Sequence, residues 1–192
     1  TMLPLFDSHP QLARNLPWVS LGSYPTPVQK LDELGAALGL DGLYVKRDDL
    51  SGEDYGGNKV RKLEFMLADA QRQGLQEVFT FGGTGSNHDL ATAIYVGKLG
   101  MRSISVLTPQ PKSPGVQRSL LMSHRCGAEL HLIQGFEEQA PTAERICDEH
   151  FEHTGRRPMV IPTGGSSPLG TVGSLNGAYE LKAQIDAGRM PT

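Results

Sequence analysis

Cysteine is scarce in this chain of 192 residues: it occurs only as Cys126 and Cys147, with no C-x-x-C pair. That excludes a disulfide framework and a thiol-rich zinc ribbon, and the expected setting is reduced and cytoplasmic, with free thiols. Charge of one sign is also lacking. The formal net charge is -3, so no nucleic acid and no anionic membrane is expected as a partner. There is no run of about 18 apolar residues, so no membrane span is expected. Thr1 to Pro10 show no basic start followed by an apolar stretch, so no secretory signal is visible there. Internal repeats and low-complexity segments are absent too. With 38% hydrophobic and 20% charged residues, the composition is that of a globular protein with an ordinary core.

Short apolar runs alternate with helix-length stretches. Strands are expected at Leu43 to Lys46, Glu77 to Phe81, Ser103 to Leu107, Glu129 to Ile133 and Met159 to Pro162. Helices are expected at Val28 to Leu38, Lys59 to Gln73, Asn87 to Leu99, Gly115 to Cys126, Glu137 to His153 and Leu175 to Ala187. Regular alternation of this kind predicts an α/β fold with a mainly parallel sheet. Gly74, Gly100 and Gly127 each follow a helical stretch, as C-terminal caps do. Trp18 and the prolines near it read as an N-terminal segment laid over a core. The last helix runs into Gly188-Arg189-Met190-Pro191-Thr192. Such a stop normally announces another strand, so the pattern reads as an α/β protein interrupted midway.

Three Gly/Ser-rich turns stand between a strand and a helix. The first is Gly56-Gly57-Asn58-Lys59, leading into Val60-Arg61-Lys62-Leu63-Glu64. A helix N-terminus is electropositive and disfavours an ammonium, and a lysine of lowered pKa is a better nucleophile towards an aldehyde. Paired glycines would let backbone approach a flat ligand. The competing reading is a surface lysine with Arg61, Lys62 and Glu64 as solvated neighbours. The second turn is Gly82-Gly83-Thr84-Gly85-Ser86-Asn87-His88, with Ser86 or Asn87 as N-cap. His88 stands where a dinucleotide fingerprint needs a third glycine, and no Gly-Lys-Ser/Thr follows. What remains is a seat for a small anion such as a carboxylate, or simply a capped tight turn. The third is Thr163-Gly164-Gly165-Ser166-Ser167-Pro168-Leu169-Gly170-Thr171-Val172-Gly173. Three such turns fit ligand binding at the carboxyl ends of parallel strands. Cys147, His150 and His153 share a helix face, where metal binding competes with a solvated amphipathic surface; no metal site is expected there.

Together, G-G-N-K-x-R-K-L-E at residues 56–64, Ser86-Asn87-His88, Gly164-Gly165-Ser166 and Pro168-Leu169-Gly170 resemble the D-cysteine desulfhydrase / 1-aminocyclopropane-1-carboxylate (ACC) deaminase family. This is a branch of the tryptophan synthase β-like pyridoxal-phosphate (PLP) enzymes. The resemblance runs from about Pro17 onward and implies deamination or β-elimination of a small amino acid. Lys59 matches the Schiff-base lysine and proton carrier, and Asn58 belongs to the same motif. Asn87 matches the residue that bonds the cofactor's ring hydroxyl, and Ser86 the one that faces the substrate. Gly85, Ser86, Asn87 and His88 would receive the substrate carboxylate. The resemblance also implies a homodimer, and a small α/β domain (61–157) inserted into a larger one, of which 1–60 and 158–192 are parts. It places the phosphate loop in a later segment, so Thr163 to Gly173 is not assigned the phosphate. The chain therefore reads as an N-terminal portion of such an enzyme. Its alternative is a non-catalytic α/β binding domain unable to hold PLP alone. The match departs from the family at Gly85, where Gln is common, and at Asp89-Leu90, where Arg-Gln is frequent.

Overall fold

The alternation of apolar runs and amphipathic stretches becomes a layered α/β structure in the computed structural model, which describes residues 3–190. Thr1, Met2 and the Pro191-Thr192 end of the expected stop signal lie outside the described residues. Four parallel strands form the main sheet, in the order β5-β4-β3-β6. They are β3 (Glu77–Gly83), β4 (Arg102–Thr108), β5 (Glu129–Leu132) and β6 (Met159–Ile161). The central pair is apolar and buried on both faces, as parallel strands covered by helices must be: Val78, Phe79, Ile104, Val106 and Leu107 are all inaccessible. Helices α4 (Asn87–Lys98), α5 (Pro114–Arg125) and α6 (Gln139–Thr154) connect the strands. Gly74, Gly100 and Gly127 all have φ between 68° and 81°, the left-handed geometry that ends a helix and turns the chain into the next strand.

Two helices follow a different partner. Helix α3 (Asn58–Arg72) packs along α7 (Pro168–Asp186). The approach is close because Gly173 has no side chain: a Cβ there would stand 2.0 Å from the Arg61 carbonyl oxygen. A short N-terminal helix, α1 (Pro4–Ser8), lays Leu5 and Phe6 against Phe65, and Trp18 joins that cluster. This matches the expectation of an N-terminal segment over a core.

Two expectations need correction. The stretch Val28 to Leu38 is not one helix. Val28–Lys30 is instead β1, paired antiparallel with β2 (Tyr44–Lys46), and only Asp32–Leu38 forms the helix, α2. Strand pairing with the partner supplied by tertiary structure overrode the local period. Helix α7 begins at Pro168 and not at Leu175. Ser167 caps it, accepting from the Gly170 N–H at 3.0 Å; of the glycines that suggested a loop, Gly173 serves the contact with α3 and Gly170 lies against the Gly165 carbonyl. At the edge of the main sheet β6 pairs with β3, Val78 opposite Met159 and Thr80 opposite Ile161.

Candidate active site

The three Gly/Ser turns lie together at the carboxyl ends of β2, β3 and β6. Each is built by a local rule. In the first turn Gly57 has φ 120°, a conformation closed to L side chains. Its N–H is held by the Asp48 carbonyl at 2.7 Å and the Ser51 hydroxyl at 3.1 Å. The need for Gly56 is internal to the chain: a Cβ there would stand 1.8 Å from the Asp49 carbonyl oxygen. Nothing lies within 4 Å of a Cβ at Gly57, which faces open space. The turn delivers Lys59 in the first turn of α3, half-buried, beside an exposed Asn58. Partial burial, and then the Lys62 ammonium one turn on, lower the Lys59 pKa.

In the second turn Ser86 is the N-cap of α4, its Oγ accepting from the Asp89 N–H at 3.2 Å. Asn87 opens the helix and is exposed. Its Oδ1 accepts from the Tyr55 hydroxyl at 2.8 Å, which ties the second turn to the first. With the oxygen so engaged, the amide's NH2 is left as a donor. His88 is not on the open side: it is 3% exposed, and its Nε2 lies 3.0 Å from Thr80 Oγ1. Thr80 donates its hydroxyl hydrogen to the Ile161 carbonyl at 3.2 Å, so it must accept from His88. The imidazole is therefore the Nε2–H tautomer. Its Nδ1 is buried and has no hydrogen-bond partner among the described residues. Burial, with Lys59 and then Lys62 adding to it, pushes the His88 pKa down to about 4.

The third turn closes on the other two. Lys62 Nζ donates to the Gly164 carbonyl at 3.2 Å. Gly165 (φ 65°) lies so close that a Cβ would meet Met66 Cε at 2.9 Å and His88 Cε1 at 3.3 Å. Lys59 and Lys62 thus share one face of α3, with His88 and the Gly164–Gly165 turn nearby.

The opposite side of the same helical turn overturns the reading of Arg61 and Glu64 as solvated. Arg61 is 3% and Glu64 1% exposed. Arg61 forks onto Asp48, Nε at 2.8 Å and Nη2 at 2.7 Å, and reaches Glu180 of α7 at 3.0 and 3.1 Å. Lys46 Nζ also donates to Glu180 and to Gln184. Glu64 accepts from the Trp18 indole at 3.1 Å and from the Leu21 and Gly22 amides. The sequence carries no sign of Glu180 as a partner, because it lies 119 residues from Arg61. Tyr55 and Lys62 were likewise not singled out.

Of the other candidates, Cys147 is buried, His150 Nδ1 is 2.9 Å from Glu77 Oε2, and His153 Nδ1 is 2.6 Å from the Glu149 carbonyl. Among the described residues no group of three or more such side chains is placed to hold a metal ion, and no helix is long and apolar enough to cross a membrane.

The chain is 38% identical over 174 residues to a bifunctional mitochondrial D-cysteine desulfhydrase/ACC deaminase of Arabidopsis thaliana, covering 87% of this chain and 43% of that protein. It is 35% identical over 179 residues to a D-cysteine desulfhydrase of Salmonella paratyphi B, covering 88% and 52%. The crystal structure of an ACC deaminase homologue superposes with a TM-score of 0.82 at 35% identity, covering 96% of this chain and 55% of that one. The chain therefore spans about half the length of the relatives it matches. Residues 19–192 match the family described as pyridoxal-phosphate dependent enzymes, and the chain belongs to that family.

Proposed function

We propose that this chain forms the lysine-bearing part of a PLP-dependent deaminase or lyase that acts on a small amino acid, in the manner of D-cysteine desulfhydrase or ACC deaminase. The observation that carries the reading is Lys59: an amine of lowered basicity in the first turn of α3, whose charge reaches the buried His88, on a turn that Tyr55 ties to Asn87. The residues fit the cofactor. Gly57 leaves open space for a flat ring, Lys59 is the amine that bonds its aldehyde, and Asn87 would donate to the ring hydroxyl.

When bound, PLP supplies an electron sink for negative charge at the substrate Cα. The chain's own residues do the rest. The Gly83–Asn87 turn, at the positive end of α4, would hold the substrate carboxylate. The Ser86 hydroxyl hydrogen remains free to face the substrate, since its oxygen is the acceptor in the cap. Lys59 Nζ, with its pKa lowered, takes and returns the proton at Cα. Lys62 keeps a second cation one turn away and so favours the neutral amine. Arg61, clamped by Asp48 and Glu180, fixes the helix from which Lys59 projects. Two free cysteines, Cys126 exposed and Cys147 buried, suit a reducing compartment such as the cytoplasm.

The test is to add PLP to the chain, trap any adduct with borohydride and locate it by peptide mass. The expected result is a visible absorbance band and a label on Lys59, both absent in Lys59→Ala. A label spread over surface lysines, or no band, would refute Lys59 as the cofactor lysine in this chain.

A further inference from the structure

The loop proposed to seat the substrate carboxylate already holds an acceptor. The Gly85 N–H donates to Gln110 Oε1 at 2.6 Å. Gln110 comes from another segment, just after β4 and ahead of Ser113, the N-cap of α5. Its carboxamide lies across the loop. A Cβ at Gly83 would stand 2.5 Å from Gln110 Cδ, and one at Gly85 would stand 3.0 Å from Gln110 Oε1 and 2.9 Å from Val116 Cγ2.

The neighbouring amides are committed to backbone. Thr84 N–H donates to the Thr108 carbonyl at 3.0 Å, and Ser86 N–H to the Gly83 carbonyl at 2.9 Å. Among the amides of Thr84, Gly85 and Ser86, only that of Gly85 is held by a side chain, and so can be released without moving the main chain. Gln110 is exposed, so its carboxamide can swing into water and there regain hydrogen bonds and rotamer freedom. A carboxamide oxygen is the neutral counterpart of a carboxylate oxygen, and a carboxylate makes the stronger, charge-assisted bond to the same N–H.

We propose that Gln110 sets the affinity of this site for amino-acid carboxylates, by holding the Gly85 N–H until a carboxylate displaces it. This rests on the reading of the Gly83–Asn87 turn as the carboxylate seat. Gln110 is then a specificity-determining residue, which a ligand must outcompete and which disfavours ligands whose acceptor is uncharged. Replacing its acceptor while keeping its length should tighten carboxylate binding. Replacing it by a carboxylate should weaken binding, because the loop amide then has a charged intramolecular acceptor and the ligand meets a like charge.

The experiment follows the Gly85 amide by two-dimensional NMR in the full chain, with propionate as the probe, in wild type, Gln110→Met and Gln110→Glu. In wild type, propionate should shift the Gly85 signal. The Gln110→Met variant should bind propionate roughly 2- to 10-fold more tightly, the range set by the net value of one hydrogen bond. Gln110→Glu should bind it more weakly than wild type. A side chain that merely packs over Gly83 predicts equal affinity in all three, and that result would overturn the proposal alone. A Gly85 signal that propionate leaves unmoved in all three would show that the turn is not a carboxylate seat, and would overturn the underlying reading as well. The two failures are thus told apart by whether Gly85 responds in wild type.

Discussion

Acid should loosen this protein, alongside its ion-paired carboxylates, through His88. Its side chain is 3% exposed, and its Nε2–H is bound to Thr80. Its pKa in the fold is pushed from 6.5 down to about 4. The unfolded chain therefore takes up a proton on this residue at a higher pH than the folded chain does. Stability from the neutral imidazole is fully present above the unfolded value and is lost as pH falls from there through the folded value. The largest possible loss is the pKa difference at 1.36 kcal/mol per unit, about 3 kcal/mol. Between pH 7.5 and 4.5 the loss should be about 2.5 kcal/mol. The assay is urea unfolding followed by circular dichroism across that range, in wild type and in His88→Gln. Glutamine retains an N–H donor for Thr80 but does not titrate there. Its own packing cost appears at every pH, so the readout is the difference in pH slope. Wild type should lose the stated amount more than the variant as pH falls. Parallel curves would refute the reasoning, since they would mean that His88 is protonated in the fold as readily as out of it.

Arg61→Met should destabilise the chain by about 3–5 kcal/mol, because it leaves Asp48 and Glu180 without their shared cation in a buried setting; denaturant midpoints check this. Gly173→Ala should cost about 1–3 kcal/mol or more, since its Cβ would fall 2.0 Å from the Arg61 carbonyl oxygen. Gly177→Ala, whose Cβ meets only the Arg61 side chain at 3.3 Å, should cost less in the same assay. Equal losses would show that α3 and α7 are not held at backbone contact.

The parts of this fold legible in the sequence are those governed by local rules. The strands at Glu77, Arg102 and Glu129, the glycine caps at Gly74, Gly100 and Gly127, and Ser86 as an N-cap all follow from period and turn chemistry. Val28–Lys30 does not, because its strand state depends on Tyr44–Lys46 lying opposite. The start of α7 was hidden because Gly170 and Gly173 are poor helix formers, tolerated for the close approach they permit. The site divides the same way. Lys59, Ser86 and Asn87 stand out by motif. The roles of Tyr55, Gln110 and Glu180 depend on contacts across the chain that no spacing encodes. Gln110 and Val116 border the space that a side chain at Gly85 would enter. Asp89 is buried, with Oδ2 accepting from Ser123 at 3.2 Å. There it joins α4 to α5 and does not face the turn.

The first turns of α3 explain why Lys59 differs from an ordinary surface lysine. Residues three apart on a helix share a face, and residues two apart do not. Lys59 and Lys62 therefore point to the glycine turns, where the Gly164 carbonyl holds Lys62. Arg61 and Glu64 point to the other side, where Asp48, Glu180 and Trp18 hold them. Asp48, Glu64 and Glu180 are thus committed to the far face. Beside the two ammonium groups lies His88, which burial keeps neutral. Partial burial first, and then the Lys62 charge, lower the Lys59 pKa, while Lys62 is held by the Gly164 carbonyl. The clamp on Arg61 and the lowered pKa of Lys59 thus belong to opposite sides of a single helical turn.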